Sequence, residues 1–251
     1  FSTSIFGVYY LGSLWAPIFG WIVQSAGQVI TPRLSKAHKD NNLTEMRNLY
    51  NQSVEKLTFL FIPLTIFLIL VAEPLILTMF TEKFEDAIPI FTIYMILLPT
   101  YPFRIGWILM ASGQTKFLLR LAILMSTINI LLSYYLITTL EGENRLFGIP
   151  FATVTVTWLS MFVISYQSIS TLQLKISEVY PWKKIISIIA ISLLAGIPVF
   201  ALLSLDIADI VILILCSVVY GLIFLYATYK LEIWGESELK LFNSFWSLKN
   251  R

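Results

Sequence analysis

The chain has 251 residues, of which 57% are hydrophobic and 13% are charged, and its formal net charge is +2. An average soluble domain has roughly 25% charged residues, so this composition excludes an ordinary soluble domain and predicts an all-α integral membrane protein. The basic residues form no continuous stripe, and the single Cys216 and single His38 give no metal-ligand spacing, so we expect no nucleic acid, no metal and no cofactor.

Apolar stretches predict seven membrane-spanning helices, each about 20 to 26 residues long, as a tilted helix requires. The first span ends where a break at Thr31-Pro32 opens a polar, helix-compatible loop that runs to Lys56. The predicted spans are 5–30, 57–80, 88–111, 117–137, 147–171, 184–205 and 210–229.

The basic residues lie mainly on one side of these spans. Of the 17 Lys and Arg residues, 14 fall in or beside the loops that follow the first, third, fifth and seventh spans. Only Lys83 and Arg145 fall in the opposite loops, and Arg104 lies within the third span. Because Lys and Arg concentrate in cytoplasmic loops, we expect a plasma (inner) membrane protein whose first residue is outside and whose last residue is cytoplasmic.

Proline and glycine interrupt the first three spans. A proline inside a helix removes a backbone hydrogen bond and kinks the helix, and broken helices line the cavity of many transporters. Both residues are also more frequent in membrane helices in general, so the two interpretations stay open. The interrupting residues are Pro17, Gly20, Gly27, Pro63, Pro99 and Pro102.

The segment after the last span differs from the rest of the chain. Ser237 is a residue type that caps helices, and the large apolar residues after it fall on one face at helical spacing. This pattern is typical of an amphipathic helix at the inner interface, and a helix that docks a partner is the alternative. The apolar residues are Leu239, Phe242, Phe245 and Trp246.

No pattern of catalytic residues is found in the sequence. Buried pairs of His, Asp or Glu, a nucleophile elbow and a phosphate-binding loop are all absent, so we expect a protein that is not an enzyme. Glu73, beside Pro74 near the outer end of the second span, is the nearest to an intramembrane carboxylate. A position at the interface and a role in ion coupling both stay open for it.

Arg104 is the first candidate substrate-binding residue. It lies between Pro102 and Gly106 inside the third span, where a charge that faces lipid is costly, so one interpretation places it on a cavity. Its guanidinium would then suit a phosphate through bidentate hydrogen bonds. The alternative is a membrane anchor whose side chain reaches the inner interface.

Three amide side chains lie within the spans. Gln24 and Gln28 are one helical turn apart and face the same side, which favours the lining of a cavity, with interhelical hydrogen bonding as the alternative. For Asn129, in the middle of the fourth span, we expect an interhelical hydrogen bond. The predicted substrate-binding residues are therefore Arg104, Gln24 and Gln28.

Several short motifs follow one another over about residues 5–175. They are Val8-Tyr9-Tyr10, Thr31-Pro32-Arg33-Leu34-Ser35, Tyr50-Asn51-Gln52-Ser53, Phe61-Ile62-Pro63-Leu64, Ala72-Glu73-Pro74-Leu75-Ile76, Phe84-Glu85-Asp86-Ala87, Ala111-Ser112-Gly113-Gln114-Thr115-Lys116, Thr127-Ile128-Asn129-Ile130 and Leu146-Phe147-Gly148-Ile149-Pro150-Phe151-Ala152-Thr153. In this order they resemble the Wzx-type oligosaccharide/polysaccharide flippases, in the polysaccharide transporter branch of the multidrug/oligosaccharidyl-lipid/polysaccharide exporter superfamily. The chain departs from the pattern of that family at Thr81-Glu82-Lys83 and at Pro150-Phe151.

The resemblance implies a two-lobed transporter of about 12 to 14 helices. This chain would supply the second lobe at 1–175, an extra helix pair at 176–230 and an amphipathic juxtamembrane tail at 231–251. The first lobe would be missing, and because the chain begins at Phe1 without methionine or a signal peptide, we interpret it as a C-terminal piece of a longer protein.

The same resemblance implies a function and its partners. The family moves an undecaprenyl-diphosphate-linked oligosaccharide from the inner to the outer leaflet by alternating access, in polysaccharide or O-antigen biosynthesis. The expected partners are this lipid-linked oligosaccharide, the lipid bilayer and the missing N-terminal lobe.

Two alternative functions stay open. A drug or cation antiporter of the same superfamily would need an Asp or Glu within the membrane, and Glu73 is the nearest to one. A membrane-embedded glycan polymerase or glycosyltransferase would need a large outer loop with clustered Arg, His or carboxylate residues, and the predicted outer loops are short.

Overall fold

A computed structural model describes residues 3–80, 82–104, 106–173, 175, 180–205 and 207–233. Every regular element in these residues is a helix, and six of the helices are long and apolar enough to cross a membrane. The protein is therefore an all-α membrane protein, as its composition predicts. The predicted tail helix at 239–251 lies outside the described residues.

The described part contains ten α-helices, numbered here in chain order, and three short 3-10 segments. The α-helices are α1 (Thr3–Ser13), α2 (Trp15–Lys39), α3 (Leu43–Leu70), α4 (Ala72–Met79), α5 (Ala87–Met95), α6 (Trp107–Ala111), α7 (Thr115–Thr139), α8 (Gly148–Thr171), α9 (Trp182–Leu202) and α10 (Asp209–Lys230). The 3-10 segments are Glu82–Phe84, Leu98–Thr100 and Gly142–Phe147.

The break predicted after the first span, and the polar loop at 31–56, are wrong. α2 continues through Pro32 to Lys39, and α3 begins at Leu43. A stripe of buried apolar residues crosses this polar region at helical spacing and packs the two helices together, which offsets the one hydrogen bond that Pro32 removes. These buried residues are Leu34, Ala37, Met46, Leu49 and Tyr50.

A short turn joins α2 to α3. Asn41 adopts a φ of 51°, in the left-handed region that asparagine tolerates better than most residues. Asn42 Oδ1 then accepts a hydrogen bond from the backbone N–H of Glu45 at 3.0 Å, which caps the start of α3. The two helices therefore form a continuous helical hairpin that extends beyond the predicted spans.

The third predicted span, 88–111, is a broken segment rather than one helix. α5 ends at Met95, a 3-10 turn follows at Leu98–Thr100, and α6 begins at Trp107. The ring of a helical proline clashes with the carbonyl four residues earlier, and Met95 is four residues before Pro99. Pro99 therefore accounts for the end of α5.

α1 and α2 pack closely on this broken segment, because a glycine on each helix lets the backbone approach its neighbour. A Cβ atom built on Gly12 would lie 2.6 Å from Cγ2 of Ile90 on α5, and one built on Gly27 would overlap the indole of Trp107 on α6. Small residues at such contacts are typical of packed membrane helices.

α3 lies at the centre of the fold, and α9 packs along it. Lys184 of α9 forms an ion pair with Glu55 of α3, and the hydroxyl groups of Tyr50 and Tyr180 lie 3.2 Å apart. α10 packs on α4 and α9, and Tyr220 donates from α10 to the carbonyl oxygen of Pro63 at 2.9 Å. The division of the chain at residue 175 stays a prediction.

α7 and α8 form a second packed pair through buried Leu121, Met125 and Val156. The outer face of α7 is apolar and exposed, which is the surface that a helix presents to lipid. The exposed residues on this face include Leu119, Ile123, Leu131 and Tyr134.

Candidate functional site

The unwound stretch between α5 and α6 carries Arg104. The hydroxyl of Thr100 donates to the carbonyl of Leu97 at 2.6 Å, and the N–H of Arg104 donates to the carbonyl of Thr100 at 2.9 Å. These local bonds replace part of the helical pattern and hold the backbone around Arg104. The guanidinium thus projects from a fixed irregular segment rather than from a regular helix.

Side chains of α8 satisfy carbonyl groups that the break leaves without helical partners. The indole N–H of Trp158 donates to the carbonyl of Ile96 at 3.2 Å, and the hydroxyl of Ser165 donates to the carbonyl of Phe103 at 3.0 Å. Pro99 has no N–H to offer Ile96 in a 3-10 turn. Because unsatisfied backbone groups are costly within a membrane, α8 stabilises the broken segment directly.

A chain of amide groups fixes the end of the same segment to α8. The side-chain NH₂ of Gln167 donates to Gln114 Oε1 at 2.8 Å, and the side-chain NH₂ of Gln114 donates to Thr171 Oγ1 at 2.8 Å. Gly113, just before Gln114, adopts a φ of 74°, which glycine permits. α8 therefore contacts the broken crossing at both its middle and its end.

Arg104 lines a groove of about 630 Å³ between α6, α7 and α8, which we call the Arg104 groove. This volume is within the range of about 300–1,000 Å³ that small-molecule sites occupy. Four polar side chains line it with Arg104. They are Ser126 and Asn129 on α7, and Thr157 and Ser160 on α8. Apolar residues, including Trp107, Met110, Leu121 and Met125, form much of the remaining wall.

Arg104 carries the only formal charge among the residues that line this groove. Its guanidinium carbon lies 6.0 Å from the ring centre of Tyr101, and no carboxylate pairs with it in the part of the chain that the structure describes. The side chain is half-buried. A partly desolvated and unpaired cation is costly, and an anion in the groove would offset that cost.

Gln24 and Gln28 are not brought together with Arg104. Both side chains are exposed on α2, and neither lines the Arg104 groove. Their predicted role in substrate binding stays a prediction.

Asn129 donates to Thr153 Oγ1 of α8 at 3.4 Å, so the interhelical hydrogen bond expected for it is confirmed. Asn129 also lines the groove, which was not predicted. The sequence analysis also missed the other polar residues that line the groove. Ser126 and Asn129 are three residues apart on α7 and therefore share a face. The same spacing separates Thr157 and Ser160 on α8. That spacing would have identified them once α7 and α8 were paired.

Glu73 is exposed in the first turn of α4. It does not line the Arg104 groove. Among the described residues there is no group of three or more His, Cys, Asp or Glu side chains that could hold a metal ion.

Residues 1–89 match a family model described as polysaccharide biosynthesis protein. No curated protein and no solved structure gives a significant match to the chain. The matched stretch covers α1 to α4 and the start of α5, and it ends before Arg104. The first third of this membrane protein is thus similar to a family of polysaccharide biosynthesis proteins.

Proposed function

We propose that this chain is the second lobe of a flippase, which moves an undecaprenyl-diphosphate-linked oligosaccharide from the inner to the outer leaflet of the plasma membrane. The observation that carries the proposal is the guanidinium of Arg104, which has no carboxylate partner among the described residues and lies on a broken crossing in a groove lined by hydroxyl and amide groups. The similarity of residues 1–89 to polysaccharide biosynthesis proteins supports the same choice of substrate.

The chemistry of the groove suits the two polar parts of such a substrate. A guanidinium forms charge-assisted, bidentate hydrogen bonds with phosphate oxygens. The groups on Ser126, Asn129, Thr157 and Ser160 can donate to and accept from sugar hydroxyls. Burying a polar group without hydrogen bonds is costly in hydrocarbon, so a polar path for the headgroup is the physical requirement of this transport.

The broken crossing suits the movement that transport requires. Alternating access needs two conformations of similar free energy, and discontinuous helices are common where transporters bind their substrates. In this proposal the first lobe supplies the opposite wall, the first residue of this chain is outside, and the last is cytoplasmic. The protein then acts as a transporter rather than as an enzyme.

A drug or cation antiporter fits the groove less well. The charged residue that lines it is a cation, which repels a cationic ligand, and the exposed Glu73 lies elsewhere on α4. A membrane polymerase or glycosyltransferase has no specific support from the groove residues, which include no carboxylate and no histidine.

The test compares Arg104→Lys with Arg104→Leu by the amount of surface glycan at matched protein level. A hydrogen bond to a charged group contributes about 1.5–3 kcal/mol, so loss of the bidentate contact in Arg104→Lys should lower transport roughly tenfold. Arg104→Leu should lower it further, since the charge is also lost.

The matched control makes the same two substitutions at Arg120, an exposed residue of α7 that does not line the groove. Both Arg120 variants should transport at the wild-type level. If Arg104→Lys keeps full transport and Arg104→Leu loses it only through reduced membrane insertion, Arg104 is an anchor and the proposed phosphate contact is wrong.

A further inference from the structure

A second concave site lies between α2, α3 and α6, and its rim is basic. It has a volume of about 290 Å³ and is lined by Arg33 on α2 and by Gln52 and Lys56 on α3. The apolar part of its wall includes Val29, Leu49, Leu57 and Trp107. We call it the basic pocket. Trp107 also lines the Arg104 groove, so the two sites share this residue.

The two cations of the basic pocket have no ion-pair partner among the described residues. Glu55, next to Lys56 in sequence, pairs with Lys184 on α9 and so faces a different neighbour. Adjacent helical residues point about 100° apart, which explains how one faces α9 and the other the pocket. Arg33 and Lys56 therefore combine two positive charges on one small concave surface.

Of the two uncharged polar residues that line the pocket, only Gln52 has a donor left for a ligand. The hydroxyl proton of Ser53 is already donated to the carbonyl of Leu49 at 2.6 Å. Gln52 is exposed, and its side chain makes no hydrogen bond within the described part of the chain. Arg33, Lys56 and Gln52 thus offer donors, and Arg and Lys are the side chains that bind phosphate best.

The position of the pocket indicates a ligand that belongs to the membrane. Its cations lie where the apolar parts of α2 and α3 give way to their polar ends. Ile18, Ile22 and Val29 are exposed apolar residues on nearly one face of α2, and Val29 itself lines the pocket. An acyl chain can lie along this face while the headgroup reaches the basic rim.

We propose that the basic pocket binds the phosphate headgroup of an anionic phospholipid. A volume of about 290 Å³ holds a phosphate with several waters, since one water occupies about 30 Å³. Basic pockets between membrane helices bind anionic headgroups by the same combination of charge and position. The proposal does not depend on what the Arg104 groove transports.

The test measures lipid binding to the purified protein in detergent by native mass spectrometry. Phosphatidylglycerol is the anionic probe, and phosphatidylcholine is the zwitterionic control. Each cation near an anionic lipid contributes a factor of about five in affinity, so the double variant Arg33→Gln with Lys56→Gln should bind phosphatidylglycerol about 25-fold more weakly. Phosphatidylcholine should bind weakly to wild type and variant alike.

Lys36→Gln is the matched control, because Lys36 is exposed on α2 one turn from Arg33 but does not line the pocket. Lys36 lies within a Debye length of Arg33 and so adds some long-range attraction. It makes no direct contact in the pocket, so Lys36→Gln should lose less affinity for phosphatidylglycerol than either single pocket variant. If the double variant fails to fold, Arg33→Gln and Lys56→Gln are measured singly, with about fivefold loss expected for each.

Three results would overturn the proposal: equal binding of phosphatidylglycerol by wild type and the double variant, equal loss in Lys36→Gln, or equal binding of phosphatidylcholine. Inorganic phosphate separates a lipid site from a free-anion site. If it displaces phosphatidylglycerol at equal concentration, the pocket takes a free anion and the lipid assignment is wrong. No transport is measured, so failure here is distinct from failure of the flippase proposal.

Discussion

Prolines have different consequences in two regions of the molecule. Pro32 and Pro63 lie inside the continuous helices α2 and α3, whereas Pro99 and Pro102 lie in the broken third crossing. A single proline costs one hydrogen bond, and the flanking turns can maintain the helix. In the third crossing two N–H groups are missing within one turn, and α8 supplies donors to nearby carbonyls.

The contrast indicates that two closely spaced prolines break a span where a neighbouring helix supplies donors to the freed carbonyls. It also separates two kinds of basic site. In the broken crossing Arg104 lies in a groove between helices, whereas in the continuous hairpin Arg33 and Lys56 lie on the rim of a pocket. The first arrangement requires the break, whereas in the second both cations lie on continuous helices and α6 contributes only Trp107 to the wall.

The largest expected effect on stability is at Gly27, where continuous α2 contacts the broken crossing. The Cβ of Gly27→Ala would overlap the ring of Trp107, which lines both the Arg104 groove and the basic pocket. Overpacking costs about 1–3 kcal/mol, and alanine returns about 0.5–1 kcal/mol of helix propensity. We expect a net loss of about 1–2 kcal/mol, measured as a lower midpoint of thermal unfolding in detergent.

Gly20→Ala is the control for Gly27→Ala, since both glycines lie in α2. A Cβ built on Gly20 has its nearest neighbour, the hydroxyl of Tyr101, at 3.8 Å, which is an ordinary contact. This variant should be as stable as wild type or slightly more stable. Equal midpoints for the two variants would show that α2 does not approach α6 as closely as described.

A smaller effect on stability is expected at Ser165, whose hydroxyl donates a hydrogen bond to a carbonyl of the broken crossing. Ser165→Ala leaves the carbonyl of Phe103 without its donor, and an unsatisfied acceptor at this part-buried position costs about 1 kcal/mol. The unfolding midpoint should fall. Ser170→Ala, at an exposed position of the same helix, should leave it unchanged. If the two variants behave alike, α8 does not stabilise the broken crossing through this bond.

The smallest effect is expected in the continuous region, at the hydrogen bond between α10 and α3. Tyr220→Phe removes the donor to the carbonyl of Pro63, and single hydrogen bonds between membrane helices contribute about 0.6 kcal/mol on average. Thermal unfolding should show a small decrease, with Tyr226→Phe, exposed on α10, as the reference. A loss larger than that of Ser165→Ala would reverse the proposed order of the two regions.

Much of the fold follows from hydropathy. Six of the seven predicted spans correspond to helices long enough to cross a membrane, because about 20 apolar residues have few other stable states. The errors lie at 31–56, in the third span, and at Leu14 and Val71, where the first and second predicted spans are interrupted. At 31–56 the buried stripe through Leu34 and Tyr50 was hidden among charged residues. In the third span the prolines were noted, but the sequence did not show that α8 supplies donors to the carbonyls of the break.

The candidate site was predicted only in part. Arg104 stood out because a charge inside a span is rare, and Asn129 was assigned the hydrogen bond that it makes. Ser126, Thr157 and Ser160 were missed, since isolated hydroxyl residues are common in membrane helices. They indicate a binding site only when the packing of α7 on α8 is known. Gln24 and Gln28 share a face, but that spacing does not reveal what the face contacts.

The sequence by itself determined that this protein lies in a membrane, that it is helical, and how many apolar segments it has. These properties depend on local composition, because each helix satisfies its own backbone hydrogen bonds within the membrane. Only the tertiary structure decided how α8 stabilises the break in the third crossing, which hydroxyl groups join Arg104, and that Arg33 and Lys56 share one pocket. These depend on contacts between helices far apart in sequence, and such contacts arise from packing that no single segment encodes.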